Sequence, residues 1–495
     1  MTRNDTLSVL LALALLGGCT VGPEYRGASP SALKVPAQFR SAAVVPTAAV
    51  DLARWWTGFG DPVLTGLVEQ SLAQNLDVDA AGARLRQARA SVATARSAQL
   101  PTLGASASVG RSIGNSGRSI FDPTTGTTLS TGGDTTVYRA GFDAAYEVDL
   151  FGGIRRSVEA ARADEGAALA NLQSAQQTVA SEVGLNYVAA RLAQRRLRIA
   201  RDNLASQDET VQIVGWRVQA GLVSSLDLEQ ARQLRAQTAA TIPALENNYA
   251  NAANRIAVLL GEAPGAVDAV LAPDSAIPLA PPANDIPGAV IQRRPDVAAA
   301  ERSLAAETAR IGVQQAELYP ALRLTGSFAG SDTNVGDVVS RAIGNVLGAV
   351  SAPIFQGGRL RAAVEGQRAS TDAALANYRQ VVLTALEEVE NALSALSTSE
   401  RREREILVAE TASRNAVLYA RSQYRAGLID FQTLLDSERS LLSSQDNRAT
   451  ARADRATATV QLYKALGGGW QSAPLPASAT RNGTIAVLPD PATRP

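Results

Sequence analysis

"VYRAGFDAAYEVDL", residues Val137 to Leu150, sets Tyr138, Ala140, Phe142, Ala144, Tyr146, Val148 and Leu150 on one side of an extended chain. Arg139, Gly141, Asp143, Ala145, Glu147 and Asp149 fall on the other side. An apolar face backed by charges suits a strand with lipid outside and water inside. A half-buried strand of a soluble sheet has the same period. Upstream, "TLGASASVG" (Thr102 to Gly110) alternates more modestly, with Leu103, Ala105, Ala107 and Val109 opposite Gly104, Ser106, Ser108 and Gly110.

Working outward, the chain carries its pattern twice. Gly221-Leu222 recurs as Gly427-Leu428, and "AALAN" at Ala167 to Asn171 recurs at Ala373 to Asn377, both 206 positions on (427 − 221). Val158-Glu159 and Leu260-Gly261 obey the same shift. Asp77-Val78 and Pro101 recur 219 positions on (320 − 101), so the copies differ by an insertion between Pro101 and Val158. A fixed offset of this kind marks a duplicated structural unit. In the second copy "ALRLTGSFAG" and "IGNVLGAVSAPIF" stand where the strands should be, and the latter, Ile343 to Phe355, alternates poorly.

Between the strands the period is helical. Asp77 to Gln99 reads as a helix and is mirrored by Asp296 to Leu318; Pro62 and Pro295 sit where proline starts a helix without losing a needed donor. Ile154 to Ala220 reads as one long helix, about 100 Å at 1.5 Å per residue. After a break at Gly221 it returns as Leu222 to Leu260. The two shorter helices laid end to end nearly match the long one. Leu197, Leu204, Val211 and Val218 are spaced by seven, as are Ile242, Tyr249 and Ile256, and Leu245, Ala252 and Leu259. An ordinary long coiled coil explains those heptads equally well, but not the strands between them.

Four strands cannot enclose a space, since a filled barrel needs about eight. Copies must therefore contribute strands to one another, and three copies supply twelve. A ring of twelve could leave an open lumen, and the expected fold is a mixed α/β membrane protein of two tandem repeats whose four strands per chain are completed by other copies. Residues 61–261 form the first repeat, 262–287 a Pro- and Ala-rich linker, 288–467 the second repeat, and 468–495 a tail expected to be disordered.

Composition narrows the chemistry. Of 495 residues, Lys+Arg and Asp+Glu each number 47, so no net charge points to nucleic acid. There is no histidine and one cysteine, which removes the commonest acid–base group and any zinc cluster or internal disulfide. No H-E-x-x-H or P-loop appears, and no cofactor is expected. A hydrolase built on paired carboxylates stays open on letters alone, although these acids follow helix surfaces.

At the N-terminus Leu7 to Leu16 is too short to span a bilayer and reads as a signal-peptide core, within 1–18. "LGGCT" then resembles a bacterial lipobox, with Cys19 as the acylated first residue, Thr20 favouring the outer membrane, and 19–60 a lipid-anchored segment; an ordinary signal peptide beside a free thiol is the alternative.

With "LGGCTVGPEY", "QRRPDV", "AELYPALRLTGSFAG", "PIFQGGRLRAAVEGQRA", "YRAGLIDFQTLLDSERSLL" and "YKALGGGW", the chain resembles the TolC/OprM-type outer-membrane efflux proteins, in their OprM/NodT-like lipoprotein branch. The resemblance implies a homotrimer with a twelve-stranded barrel in outer-membrane lipid and a twelve-helix tunnel through the periplasm. It also implies a periplasmic adaptor (membrane fusion) protein and a proton-driven inner-membrane pump as partners. Gly221, Leu222, Gly427 and Leu428 correspond to hairpin tips that contact the adaptor; as bare letters they are turn residues. Asp227, Tyr424, Asp430 and Asp436 correspond to an entrance gate, where the aspartates read equally as helix-start caps. Ile429 stands where some members carry a latch arginine. A conduit for type I protein secretion and a lumenless envelope lipoprotein are the rival functions.

Overall fold

A computed structural model describes residues 20–27, 35–41, 51–113, 118–124, 126–131, 134–283, 287–471 and 473. The expected signal peptide, Cys19 and most of the expected tail lie outside the described residues.

Asp61 accepts hydrogen bonds from the Val63 and Leu64 amides and starts α1 (Pro62–Gln74) with proline in its first turn. Then follow α2 (Leu76–Ser97), β1 (Thr102–Ser112), β2 (Arg118–Asp122), β3 (Thr127–Thr131), β4 (Thr135–Val148), α3 (Gly153–Gln219) and α4 (Ser225–Leu259). Two short helices, α5 (Asp268–Leu271) and α6 (Pro287–Arg293), precede the second copy. That copy comprises α7 (Pro295–Ala316), β5 (Ala321–Asp332), β6 (Ile343–Ser351), α8 (Arg359–Arg425) and α9 (Phe431–Ala465). Paired elements have equal lengths: α2 and α7 have 22 residues, α3 and α8 have 67, α4 and α9 have 35. Among the described residues no helix is long and apolar enough to cross a membrane.

The chain divides into two compact units. The first holds Gln87–Ala167, Ala300–Tyr378 and the N-terminal residues up to Gly27. Its centre is an antiparallel sheet in the order β1-β4-β5-β6, with the β2–β3 hairpin as a separate two-stranded sheet. That hairpin was not expected, because its strands, RSIFD and TTLST, are five residues each and too short to show a period. The N-terminal residues are tied down here. Val21 donates to the Phe151 carbonyl at 3.0 Å, and Arg156 donates to the carbonyls of Val21 and Gly22 at 3.2 and 3.3 Å. Gly22 (φ 96°) lies against Gly312; a Cβ on Gly22 would come within 2.5 Å of the Gly312 Cα. Thr20 is thereby placed beside Gly152, at the foot of β4.

The second unit comprises Ala28–Arg86, Ala168–Ala299 and the chain from Arg379 onward. Its core gathers Trp55, Trp56, Phe59, Tyr187, Ile256, Leu393 and Tyr463. Trp55 and Trp56 come from a 3-10 stretch, Leu52–Phe59, in the segment expected only to tether the chain, and both are fully buried. The expected tail also begins later than 468. Gly468 donates to the Tyr463 carbonyl, Gly469 donates to that of Leu52, and Gly469 packs against Trp55.

Two residues make the expected end-to-end joints. Asn75 accepts from the amides of Asp77 and Val78, opening α2, while its Nδ2 donates to the Leu259 carbonyl that closes α4, at 2.8 Å. Arg294, the residue 219 positions on (294 − 75), makes the joint in the second copy as a donor only, while Asp296 accepts from the Val297 amide. Arg294 donates to the Ala465 carbonyl at the end of α9 and pairs with Asp296, in the first turn of α7, and with Glu388. Each satisfies groups that a helix end leaves without intrahelical partners.

Candidate functional site: the sheet faces and the hairpin tips

Register fixes what each face of the sheet carries. Leu103, Ala105, Ala107 and Val109 stand opposite Ala144, Phe142, Ala140 and Tyr138. Phe142 and Tyr146 stand opposite Phe328 and Leu324, and Leu322 and Gly326 stand opposite Val350 and Val346. All lie on one face, because partners across a ladder share a side. The other face carries Ser106, Ser108, Arg139, Asp143, Glu147, Arg323, Ser327 and Asn345, with Ile343 and Leu347 of β6 as apolar exceptions. The apolar face is bare: Val346 is 91% exposed and Phe142 is 55% exposed.

Part of the poor alternation of β6 has a physical reason, although nothing in the sheet explains Ile343 and Leu347 on the polar face. Its Gly344 and Gly348 lie on the apolar face, and a Cβ there would touch the side chains of Phe328 and Leu324 at 3.7 and 3.5 Å. Large residues of β5 cover the gaps, so the greasy surface continues across strands rather than along one. β1 pairs only with β4 and β6 only with β5, which leaves both outer edges open among the described residues.

The two hairpin tips, in the other unit, are built alike. Gly221 (φ 71°) donates to the Val218 carbonyl, and Leu222 to that of Arg217. Gly427 (φ 74°) donates to Tyr424, and Leu428 to Gln423. This bond pair is the Schellman helix end, which needs a left-handed residue and therefore selects glycine. Ser224 then caps α4 through the Leu226 amide, and Asp430 caps α9 through the Thr433 amide at 2.8 Å. Hydrogen bonds from the Thr433 side chain and then its amide hold the Asp430 carboxyl below its ordinary value. Leu222 and Leu428 project outward, 68% and 74% exposed.

Behind the tips a small core joins α3, α4, α8 and α9 through Val214, Leu234, Tyr424, Phe431 and Leu435. Tyr424 is buried, with its hydroxyl unpartnered. Its ring meets Phe431 and carries the Arg217 guanidinium 4.7 Å from its centre. Beneath it Arg421 donates to Ser206 and to Glu438 Oε1 at 3.0 Å, and Thr210 donates to the same oxygen at 3.3 Å. Glu438 is buried, and its Oε2 finds no partner.

A family model described as outer membrane efflux protein matches residues 67–262 and 286–468. The chain belongs to the outer membrane efflux protein family. Nodulation protein T of Rhizobium leguminosarum bv. trifolii is 34% identical over 466 residues, spanning 92% of this chain and 96% of the relative. The pyoverdine export outer membrane protein OpmQ of Pseudomonas aeruginosa is 33% identical, spanning 94% and 97%. The solved outer-membrane channel OprN is 37% identical and superposes with a TM-score of 0.83 over 92% of this chain and all of its own. The expected TolC/OprM-type fold, with a four-stranded sheet to the chain and long paired helices, is thus the fold observed, with the β2–β3 hairpin added.

For this efflux-family chain the expected gate residues separate into two groups. Tyr424 lies in the tip core. Asp430 is a cap at the surface, and Asp436 is exposed, accepting from Gln432 and Arg439 at 3.1 and 3.4 Å. Asp227, in the first turn of α4, makes no ion pair among the described residues. Ile429 packs on the tip core rather than offering a charge. Arg217, Arg421 and Glu438 were missed, since each reads in sequence as one more charge on a helix surface.

Burial pushes the Glu438 carboxyl above its ordinary value, and Arg421 and Thr210 only partly offset it. Between the two values the folded tip holds a proton that an unfolded chain has released. Its stability contribution is therefore full below the ordinary carboxylate value and is lost as pH rises through the raised one. Hydrogen-exchange protection of 421–438 is expected to fall as pH rises through that window, and Glu438→Gln is expected to flatten the dependence.

Proposed function

We propose that three copies of this chain close their sheets edge to edge, β6 of one beside β1 of the next, into a twelve-stranded barrel in outer-membrane lipid. The barrel opens into a periplasmic tunnel of helices. One observation carries this reading: a four-stranded sheet has two open edges, one apolar exposed face and one polar face. An open edge in lipid costs several kcal/mol for each unsatisfied group, and closure removes it. With its polar face inward, such a barrel encloses water.

The subunit acts as a passive conduit in a tripartite efflux system. Its tips, with Leu222 and Leu428 exposed, meet a periplasmic adaptor protein, and a proton-driven inner-membrane pump supplies the energy. Acylation of Cys19 anchors the chain, in keeping with Thr20 at the foot of β4. Small molecules are the cargo favoured by similarity to a protein named for pyoverdine export. Type I protein secretion is the second reading, favoured if the adjacent genes encode an ATP-driven exporter.

Purified protein added to a planar lipid bilayer is expected to give discrete ion-conducting events. An absence of conductance from a membrane-inserted protein would favour a lumenless spacer and overturn the reading.

A further inference from the structure

We propose that the second unit carries a binding site for a carboxylate- or phosphate-bearing anion, in a cavity of about 330 Å³ between α3, residues 274–277, α8 and α9. Four guanidiniums line it, those of Arg195, Arg198, Arg448 and Arg452, against two carboxylates, Asp274 and Glu410. Both carboxylates are already used. Asp274 pairs with Arg198, and the buried Glu410 accepts from Arg414 and Arg448, each at 2.5 Å. The surplus is two positive charges with unspent donors.

Those donors are of the right kind. Arg195 makes no hydrogen bond or ion pair among the described residues. Arg452 uses only its Nε, on the Ile277 carbonyl at 3.0 Å, which leaves its terminal nitrogens. Gln445 spends its oxygen on Asn203, which leaves its amide N–H groups. The Ser275 hydroxyl, which also lines the cavity, is buried with no partner. A buried hydroxyl without a partner is costly, and a bound acceptor would relieve it. Guanidiniums bind carboxylate and phosphate oxygens in pairs, so the chemistry selects an oxyanion over a neutral or cationic molecule. The cavity falls within the size range of small-ligand sites. A carbohydrate or neutral drug would leave the excess positive charge unanswered. In sequence the site shows as Arg195/Arg198 and Gln445/Arg448/Arg452, each set on one helical face.

The test is calorimetry on the full-length protein in detergent, titrated with citrate and, separately, with inorganic phosphate at low salt. Saturable binding at one site per chain is expected. Arg195→Gln and Ser275→Ala should each weaken it by roughly tenfold, while Arg232→Gln, which alters an exposed arginine elsewhere, should leave it unchanged. Co-sedimentation with purified peptidoglycan, whose peptides carry carboxylates, separates the sources. Arg195-dependent sedimentation assigns the site to a wall-borne anion; binding of citrate or phosphate alone assigns it to a soluble one. No binding of any of the three, or binding that Arg195→Gln and Ser275→Ala do not alter, overturns the proposal. The channel reading stands or falls separately, on conductance.

Discussion

Replacing Phe142 with arginine is expected to abolish assembly in the outer membrane. Phe142 stands at the middle of β4, opposite Ala105 on one side and Phe328 on the other, at the centre of the apolar face. A charge on the lipid face at mid-membrane costs about 2–4 kcal/mol, and a threefold assembly incurs that cost three times. Ser327→Arg is the matched control. It puts the same side chain on the opposite face, across from Asp143, where water and a carboxylate receive it. Outer-membrane fractionation and detergent-resistant oligomers on a gel read both variants. Loss for Phe142→Arg with retention for Ser327→Arg is the expected result. Equal behaviour of the two would mean that this face does not meet lipid.

Arg421→Met is expected to loosen the hairpin tips. It leaves Glu438 buried with only Thr210 as a partner; breaking a fully buried ion pair from one side costs about 3–5 kcal/mol, and the 36% exposure of the Arg421 side chain lowers the cost here. Exchange protection of 206–214 and 421–438 should collapse together. In a bilayer the resting conductance should rise if these tips narrow the entrance. Removing both charges, as Arg421→Met with Glu438→Leu, should recover most of the protection, because no uncompensated charge then remains. A double variant no better protected than the single would mean that these residues matter through packing alone.

Much of this fold was legible because its periods are strong. The alternation of Val137 to Leu150 names both faces of β4, and the 206- and 219-residue offsets locate each tip and each helix start. Asp61-Pro62 and Gly221 announce a cap and a turn through backbone chemistry that few other residues provide. The return helices begin later than expected, because Ser224 and Asp430 fold back as caps and leave Leu222 and Leu428 outside the helix.

What stayed hidden depends on neighbours distant in sequence. Part of the irregularity of β6 resolves only when Phe328 and Leu324 are laid over its glycines. Trp55 and Trp56 precede any periodic segment, so nothing local marks them as core. Arg421 and Glu438 carry the letters of a solvated helix face, and only the approach of α3 buries them. Tyr424 was singled out through a family resemblance that says nothing of the Arg217 guanidinium over its ring.

The account turns on open sheet edges closed by other copies of the same chain. Paired cysteines test this directly, in a chain whose native cysteine is Cys19. Val346→Cys on β6 is combined in turn with Ala105→Cys, Ala107→Cys and Val109→Cys on β1, all on the same sheet face, and oxidised in membranes. For at least one pair the account predicts covalent dimers and trimers, and nothing larger, because a ring of three closes on itself. Monomer throughout, or a ladder that continues past three, would contradict it.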